Sequence, residues 1–285
     1  MDRLPSWFRQ PKPAPDARDT AALLGELGLH TICESARCPN GGDCFARHTA
    51  TFLVLGNTCT RRCTFCAVTK GAPAPVDPGE PERLVQAAGR LGLKYVVVTS
   101  VTRDDLPGGG AAHLGRIIES LHSRGIRAEV LIPDFAGSLE ALRTVAGACP
   151  EVINHNVETV PRLYPEVRPR ADYERSINLL HTVKGLDPRI VTKSGLMVGL
   201  GETKDEVLAV MSDLREAECD LLTIGQYLQP TAAHHPVVRF VPPAEFDELA
   251  AAGKAMGFAA VGAAPLVRSS FRAAELYAQA KVRPA

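Results

Sequence analysis

Six short runs of β-branched and apolar residues punctuate the middle of this chain: Thr51 to Gly56, Tyr95 to Thr99, Ile126 to Ile132, Val152 to His155, Val191 to Val198 and Leu221 to Gln226. Between them lie helical patterns at about 81–92, 111–124, 138–147, 172–185 and 203–217, each near the length of a crossover helix. Regular alternation of strand, loop and helix makes a parallel sheet. Tyr95-Val-Val-Val is apolar on both faces, so it needs helices outside and a filled or ligand-bearing interior within. Six units fall short of the eight of a closed barrel. The expected fold is therefore α/β, a partial (β/α)6 TIM-type barrel over 51–230.

Two flanking segments depart from the repeat. Residues 1–50 begin with a proline-rich stretch (Pro5, Pro11, Pro13, Pro15) whose large apolar anchors are Trp7 and Phe8, so an extended arm is expected up to about residue 20. Residues 231–285 form a C-terminal extension expected to close the barrel, with a loop at Gln229 to Pro236, a helix from Pro242 or Pro243 to near Gly257, and then Phe258 to Gly262. No longer period recurs, which excludes a solenoid. Lys+Arg and Asp+Glu number 32 each, so no net field draws the protein to nucleic acid or an anionic membrane. Asp2 and Arg3 come early, no apolar leader follows, and no apolar run approaches the ~18 residues of a membrane helix. A cytoplasmic protein with one large core and appendages is expected, without membrane or nucleic-acid partners.

In such a compartment clustered cysteines hold metal or do chemistry more often than they form disulfides. Six of the eight here fall within 34 residues as two triplets, Cys33/Cys38/Cys44 and Cys59/Cys63/Cys66. Cys149 and Cys219 stand apart and read as small buried hydrophobes. The second triplet, C-x3-C-x2-C, follows the first strand run, where the loops of a parallel barrel present ligands. Three thiolates are one short of a closed site, so an iron–sulfur cubane held there keeps one iron open to a reactant. A structural zinc would want a fourth ligand, yet no histidine lies between Cys66 and His113. The first triplet, C-x4-C-x5-C, is a second incomplete set, and two cubanes of three thiolates each is the simpler assignment than one over-ligated cluster.

The stretch Cys59-Thr-Arg-Arg-Cys63-Thr-Phe65-Cys66 resembles the radical S-adenosylmethionine (SAM) superfamily, including the aromatic residue before the last cysteine. That resemblance implies SAM on the open iron and a one-electron cleavage that yields a 5′-deoxyadenosyl radical. Together with Cys33-Glu-Ser-Ala-Arg-Cys38-Pro-Asn-Gly-Gly-Asp-Cys44 and Arg268-Ser-Ser-Phe271, it resembles the lipoyl synthase family closely, as do Val98 to Gly110, Asn154 to Thr159 and Gly199 to Thr203. The likeness covers nearly the whole chain after residue 30. It implies two [4Fe-4S] clusters, one at Cys59, Cys63 and Cys66 that makes radicals and one at Cys33, Cys38 and Cys44 that is consumed as sulfur donor. It implies a serine as the missing ligand of the second cluster: Ser270, with Ser269 as the alternative, since adjacent hydroxyls are not separable by sequence. The family's tyrosine is Phe271 here. A capping role for the serine pair at the following helix stands beside that reading.

By the same resemblance, Phe65, Thr99, Ser100, Asn156, Glu158 and Gly199 are candidate SAM contacts. Glycine lets backbone approach a ligand, and Asn156 and Glu158 at a strand end can accept from ribose hydroxyls. Glu202-Thr203 reads equally as a helix N-terminus. The implied reaction inserts sulfur at carbons 6 and 8 of an octanoyl group on a lysine of a lipoyl carrier protein or domain. An electron donor such as a flavodoxin or ferredoxin, and an iron–sulfur carrier, are the implied further partners. Few aromatics, 5%, suit a narrow apolar channel. The tandem His234-His235 reads as a surface loop or substrate lid before a metal site. Arg61 and Arg62 read as tuning the cluster, holding a carboxylate, or merely solvated. Rival readings are a biotin-synthase-like or methylthiotransferase-like enzyme, and a non-catalytic two-cluster electron carrier.

Overall fold

The structure, a computed structural model, describes residues 4–9 and 17–282. All six expected strands form: β1 (Thr51–Val54), β2 (Tyr95–Ser100), β3 (Arg127–Leu131), β4 (Val152–Asn154), β5 (Val191–Val198) and β6 (Leu221–Gln226). A seventh, β7 (Ala260–Ala264), pairs parallel with β6 from Ala260 opposite Leu221 to Ala264 opposite Gly225. The six expected strands of 51–230 stand in sequential order, the C-terminal extension adds the seventh to their parallel sheet, and His30–Thr31 forms an antiparallel edge on β1. Ala-Val-Gly-Ala-Ala carries a single β-branched residue, so tertiary pairing and not propensity makes it a strand. Among the described residues no ladder joins β7 back to β1, and the barrel stays open.

Five crossover helices fall where the apolar period places them: α1 (Glu80–Arg90), α2 (Ala111–His122), α3 (Leu139–Gly147), α4 (Tyr173–Leu186) and α5 (Lys204–Glu216). Each begins at a local signal. Pro81 stands in the first turn of α1, and Ser138 and Asp172 accept from backbone N–H groups at the starts of α3 and α4. At α5, Thr203 and Glu206 form a reciprocal capping box. α6 (Pro243–Ala255) and α7 (Ala273–Val282) follow, flanking β7. The N-terminal expectation changes in part: residues 17–20 open a helix, Ala17–Glu26, that buries Leu23 and Leu24, because the prolines stop at Pro15. Residues 1–3 and 10–16 of the expected arm lie outside the described residues. Phe8 is buried and packs edge-on against Phe240, 5.6 Å between ring centroids.

The two ends of the barrel differ in kind. At the amino end of the strands, Val152, Val191, Leu221 and Ala260 form a plug covered by Leu276 and Tyr277 of α7. Lys193 and Glu129, both fully buried, pair at 2.8 Å, and the Tyr95 hydroxyl donates to Glu129 at 2.7 Å. The carboxyl end opens into a cavity, which fits a sheet whose loops carry the ligands. No helix among the described residues is long and apolar enough to cross a membrane. Of the two isolated cysteines, Cys219 is buried as expected, but Cys149 is exposed: it takes a left-handed conformation, φ 56°, just after α3 and ahead of Pro150.

Candidate active site

The cavity measures about 480 Å³, and Cys33, Cys38, Cys59, Cys63 and Cys66 line it together with Arg268, Ser269 and Ser270. Cys44 lies outside that lining but close enough to its triplet that Cys33 and Cys38 raise its thiol pKa. The two triplets stay distinct. Cys38 acts on Cys33, while Cys59 and Cys63 act on Cys66. Burial is the leading cause at four of these thiols, pushing Cys44 and Cys66 up to about 12, Cys33 to about 11, and Cys63 upward. Cys33, Cys44, Cys63 and Cys66 therefore hold their protons at neutral pH in the metal-free chain, and binding a cluster must displace them.

The 59–66 loop is tied from every side. Thr60 donates its N–H and hydroxyl to the Thr102 carbonyl at 3.1 and 3.0 Å, and the Thr64 N–H reaches Val167 O at 3.0 Å. Arg61 is buried and pairs with Asp104 through two bonds of 3.0 Å and with Asp134 at 2.5 Å, while its own N–H donates to Cys59 Sγ at 3.4 Å. Of the readings open for Arg61, holding a carboxylate is the one realised, and Arg62 is the solvated member of the pair. Burial opposes the Asp134 charge, yet Arg61 holds that carboxyl down at about 2. The His234-His235 loop proves less exposed than expected. His235 is buried, its N–H donates to Thr64 O, and the His234 ring lies 3.1 Å from Cys66 O. The Tyr227 hydroxyl fixes the loop by donating to His235 O at 2.6 Å, so the pair staples this segment across the cysteine loop.

Long-range hydrogen bonds bring the first triplet to the C-terminus. Asn40, between Cys38 and Cys44, donates through Nδ2 to Leu266 O at 2.7 Å. The 265–270 segment in turn rests on the end of β6, where Gln226 N donates to Pro265 O. Only glycine fits at position 225, because a Cβ there would stand 2.1 Å from Val267 O. Ser269 Oγ accepts from Asn156 Nδ2 at 2.7 Å, and Asn156 also donates to Glu158 at 3.1 Å. Ser270 makes no side-chain hydrogen bond among the described residues, and neither serine caps α7, which starts at Ala273.

Of the expected SAM contacts, Phe65, Thr99, Ser100, Asn156 and Glu158 line the cavity. Thr99 Oγ1 is already committed to Leu131 O at 3.2 Å. Ser100 Oγ and Asn156 Oδ1 are buried without a hydrogen-bond partner, two polar atoms left for a ligand. Burial raises the Glu158 carboxyl against the pull of Arg168, Asn156 and Arg268. Gly199 lies outside the lining: at φ 98°, its Cβ position falls 2.0 Å from Gln226 Nε2, so it serves the crossing of backbone and not a cavity wall. Glu202 accepts from the N–H groups of Gly199 and Leu200 at 2.6 and 2.9 Å, and Thr203, not Glu202, is the helix cap.

Sequence reading missed Asp134, His155 and Arg168, which also line the cavity. Arg168 donates to Asn156 O and Val157 O at 3.1 Å and to Tyr164 Oη at 3.0 Å, bracing the strand end that carries Glu158. No spacing signals these residues; burial alone, 8% exposure for an arginine, marks Arg168. The donor chemistry suits iron: two sets of three soft thiols and, beside the first, a free serine hydroxyl. The thiols are gathered without closing on a common centre, since among the described residues no three Cys, His, Asp or Glu side chains stand in metal-ligating geometry.

A family model, the Radical SAM superfamily, matches residues 53–214. Curated relatives named lipoyl synthase include one from Caldanaerobacter subterraneus subsp. tengcongensis, 56% identical over 95% of this chain and 96% of its own length. Another, from Methylococcus capsulatus, is 54% identical over 95% of this chain and 85% of its own. Among solved structures, the [FeFe]-hydrogenase maturase HydG aligns at TM-score 0.59 with 14% identity, covering 86% of this chain and 62% of that one. Streptococcus suis SuiB bound to S-adenosylmethionine aligns at 0.56 with 12% identity, covering 74% of this chain and half of SuiB, a likeness of fold alone. With identity above one half sustained from end to end, the chain belongs to the lipoyl synthase family of the radical SAM superfamily.

Proposed function

We propose that this protein makes the lipoyl group by inserting two sulfur atoms, at carbons 6 and 8, into an octanoyl chain carried on a lysine of a partner protein or domain. The observation that carries this reading is the meeting of five triplet cysteines with Arg268, Ser269 and Ser270 around one cavity. When bound, SAM and a [4Fe-4S] cluster at Cys59, Cys63 and Cys66 supply hydrogen-abstracting radical chemistry, and a second [4Fe-4S] cluster at Cys33, Cys38, Cys44 and Ser270 supplies sulfur.

The chain's own residues prepare that chemistry. Leu53, Val101, Leu131, Leu196 and Met197 give the cavity the apolar wall that an alkyl chain needs, and they keep water from a reactive site. Ser100 Oγ and Asn156 Oδ1 offer polar contacts on the same walls, and Phe65 offers a flat apolar face. Arg61 and Arg175 are balanced by Asp104 and Asp134, so Arg61 holds the cysteine loop without adding net charge beside it. The bond from Asn156 occupies Ser269, which supports Ser270 as the cluster ligand. A hydroxyl oxygen is a hard ligand for iron, weaker than thiolate, and suits a cluster that must be dismantled.

Two partners follow from the electron and iron balance: a one-electron donor such as a flavodoxin or ferredoxin, and an iron–sulfur carrier that rebuilds the consumed cluster. A reducing, cytoplasmic setting agrees with eight free thiols. Mass spectrometry of an octanoylated carrier domain after reaction tests the whole reading, with two sulfurs gained as the expected product. Replacing Cys33, Cys38 or Cys44 by alanine is expected to stop sulfur gain while SAM cleavage continues. Loss of both activities together would overturn the division of labour between the triplets.

A further inference from the structure

Two of the three arginines inside the cavity stand beside carboxylates, and the third, Arg268, donates to Val267 O. Arg61 meets Asp104 and Asp134, and Arg168 stands beside Glu158. The mouth is different. Among the described lining residues only Arg37 and Lys70 are exposed, and both are cations with no carboxylate within ion-pair distance. Lys70 pairs in register with Cys59, and Arg37 lies between Cys33 and Cys38, donating to Pro230 O at 3.4 Å. Arg62, inside the cysteine loop, and Arg170, which donates to Thr60 O of that loop at 3.4 Å, are exposed and equally free of carboxylate partners.

Two cations thus line the entrance, and two more, Arg62 and Arg170, stand next in sequence to the lining residues Arg61, Cys63 and Ala171. Of the surrounding carboxylates, Asp104 pairs with Arg61 and Asp105 with Arg103, while Glu166 lies beside His235 and Glu34 accepts from the Thr31 hydroxyl, and none of these four pairs with a cation of the mouth. Elsewhere on the surface, Arg83, Arg90, Arg162, Arg189 and Arg239 carry acidic partners, and the exposed cations that carry none among the described residues, such as Arg18, Lys94, Arg143 and Lys254, do not line the cavity. The chain as a whole has as many acids as bases, so cations gathered on one opening are not the consequence of a basic protein.

We propose that Arg37, Arg62, Lys70 and Arg170 form a docking collar for an acidic face of the carrier domain, around the point where its acyl-lysine enters. The inference rests on the protein-bound octanoyl substrate proposed above. A protein is the occupant that fits, because the charges lie at or beside an opening that must admit a side-chain arm while the folded domain bearing it stays outside. No single exposed pair contributes much. Four like charges at or beside one opening act together, steering encounter and register, and such a field is screened by salt beyond about 8 Å at physiological ionic strength.

The test measures binding of an octanoylated carrier domain to the full-length, cluster-loaded protein by calorimetry, without turnover, from low to high salt. Affinity of the unaltered protein is expected to fall steeply with salt. The Arg62→Gln/Arg170→Gln and Arg37→Gln/Lys70→Gln pairs are each expected to weaken binding about tenfold at low salt and to flatten that dependence. Carrier variants with amides in place of the acids around the acyl-lysine should weaken binding to the unaltered protein, and less so to the collar variants. Salt-independent binding of the unaltered protein overturns the proposal, and that result needs no variant to fold. Tighter binding of an anionic vesicle or a nucleic-acid duplex than of the carrier also overturns it. Salt-sensitive binding without sulfur insertion would leave the collar and remove the functional reading; sulfur insertion with salt-insensitive binding would do the reverse.

Discussion

His155 illustrates how a single side chain couples the site to stability. It is fully enclosed at the end of β4, with Nδ1 2.8 Å from Ile132 O and Nε2 3.1 Å from Ser176 Oγ. Burial first, and the charge of Arg168 second, lower its pKa from the ordinary 6.5 to about 4. The folded protein therefore binds a proton at His155 less readily than the unfolded chain does. The stability this contributes is complete above about pH 6.5 and is lost as pH falls toward 4, a loss of about 3 kcal/mol. Denaturant titrations at pH 7 and pH 4.5 are expected to register most of it, and His155→Gln to reduce the difference between them. Asp134, held near 2 by Arg61 despite its burial, adds to the same acid lability only at lower pH. None of this is legible in Ile-Asn-His-Asn: the burial and the Arg168 charge that decide it come from packing by other segments.

At the scale of elements, the C-terminal segment depends on the end of β6. Gly225 leaves room for the Val267 carbonyl, and the backbone there accepts the chain that carries Arg268 to Ser270. A methyl group at 225 would meet backbone and not a flexible side-chain end, so relief requires the segment to move. Gly225→Ala is expected to release residues 265–270, seen as faster proteolysis within that segment and reduced iron content at the first triplet. Retention of four-iron occupancy there, with unchanged proteolysis, would refute the coupling. The parallel strands and crossover helices were legible because apolar period and caps are local properties. The seventh strand was not, because its small residues take strand form from β6 and α6 beside them. The helix at Ala17–Glu26 was hidden by the prolines before it.

Across the whole molecule the barrel is closed at one end and open at the other, and its floor contains a buried ion pair. Lys193 and Glu129 are each 0% exposed, with Tyr95 completing the network. Removing one partner leaves a buried charge uncompensated, a cost of about 3–5 kcal/mol. Lys193→Met should show that loss in urea unfolding, and Lys193→Met with Glu129→Leu should recover a large part of it. Equal stability of the single and double variants would mean the pair is not coupled. The sequence alone determined what depends on local pattern and on spacing: the order of strands and helices, two thiol triplets each short of a ligand, and the family these motifs resemble. Tertiary structure decided which distant groups meet. Arg61 found Asp104 and Asp134, Asn156 took Ser269 and left Ser270, Gly199 turned from the cavity, and His235 became buried. Those outcomes arise from packing between segments tens to more than a hundred residues apart, where no periodicity or propensity acts.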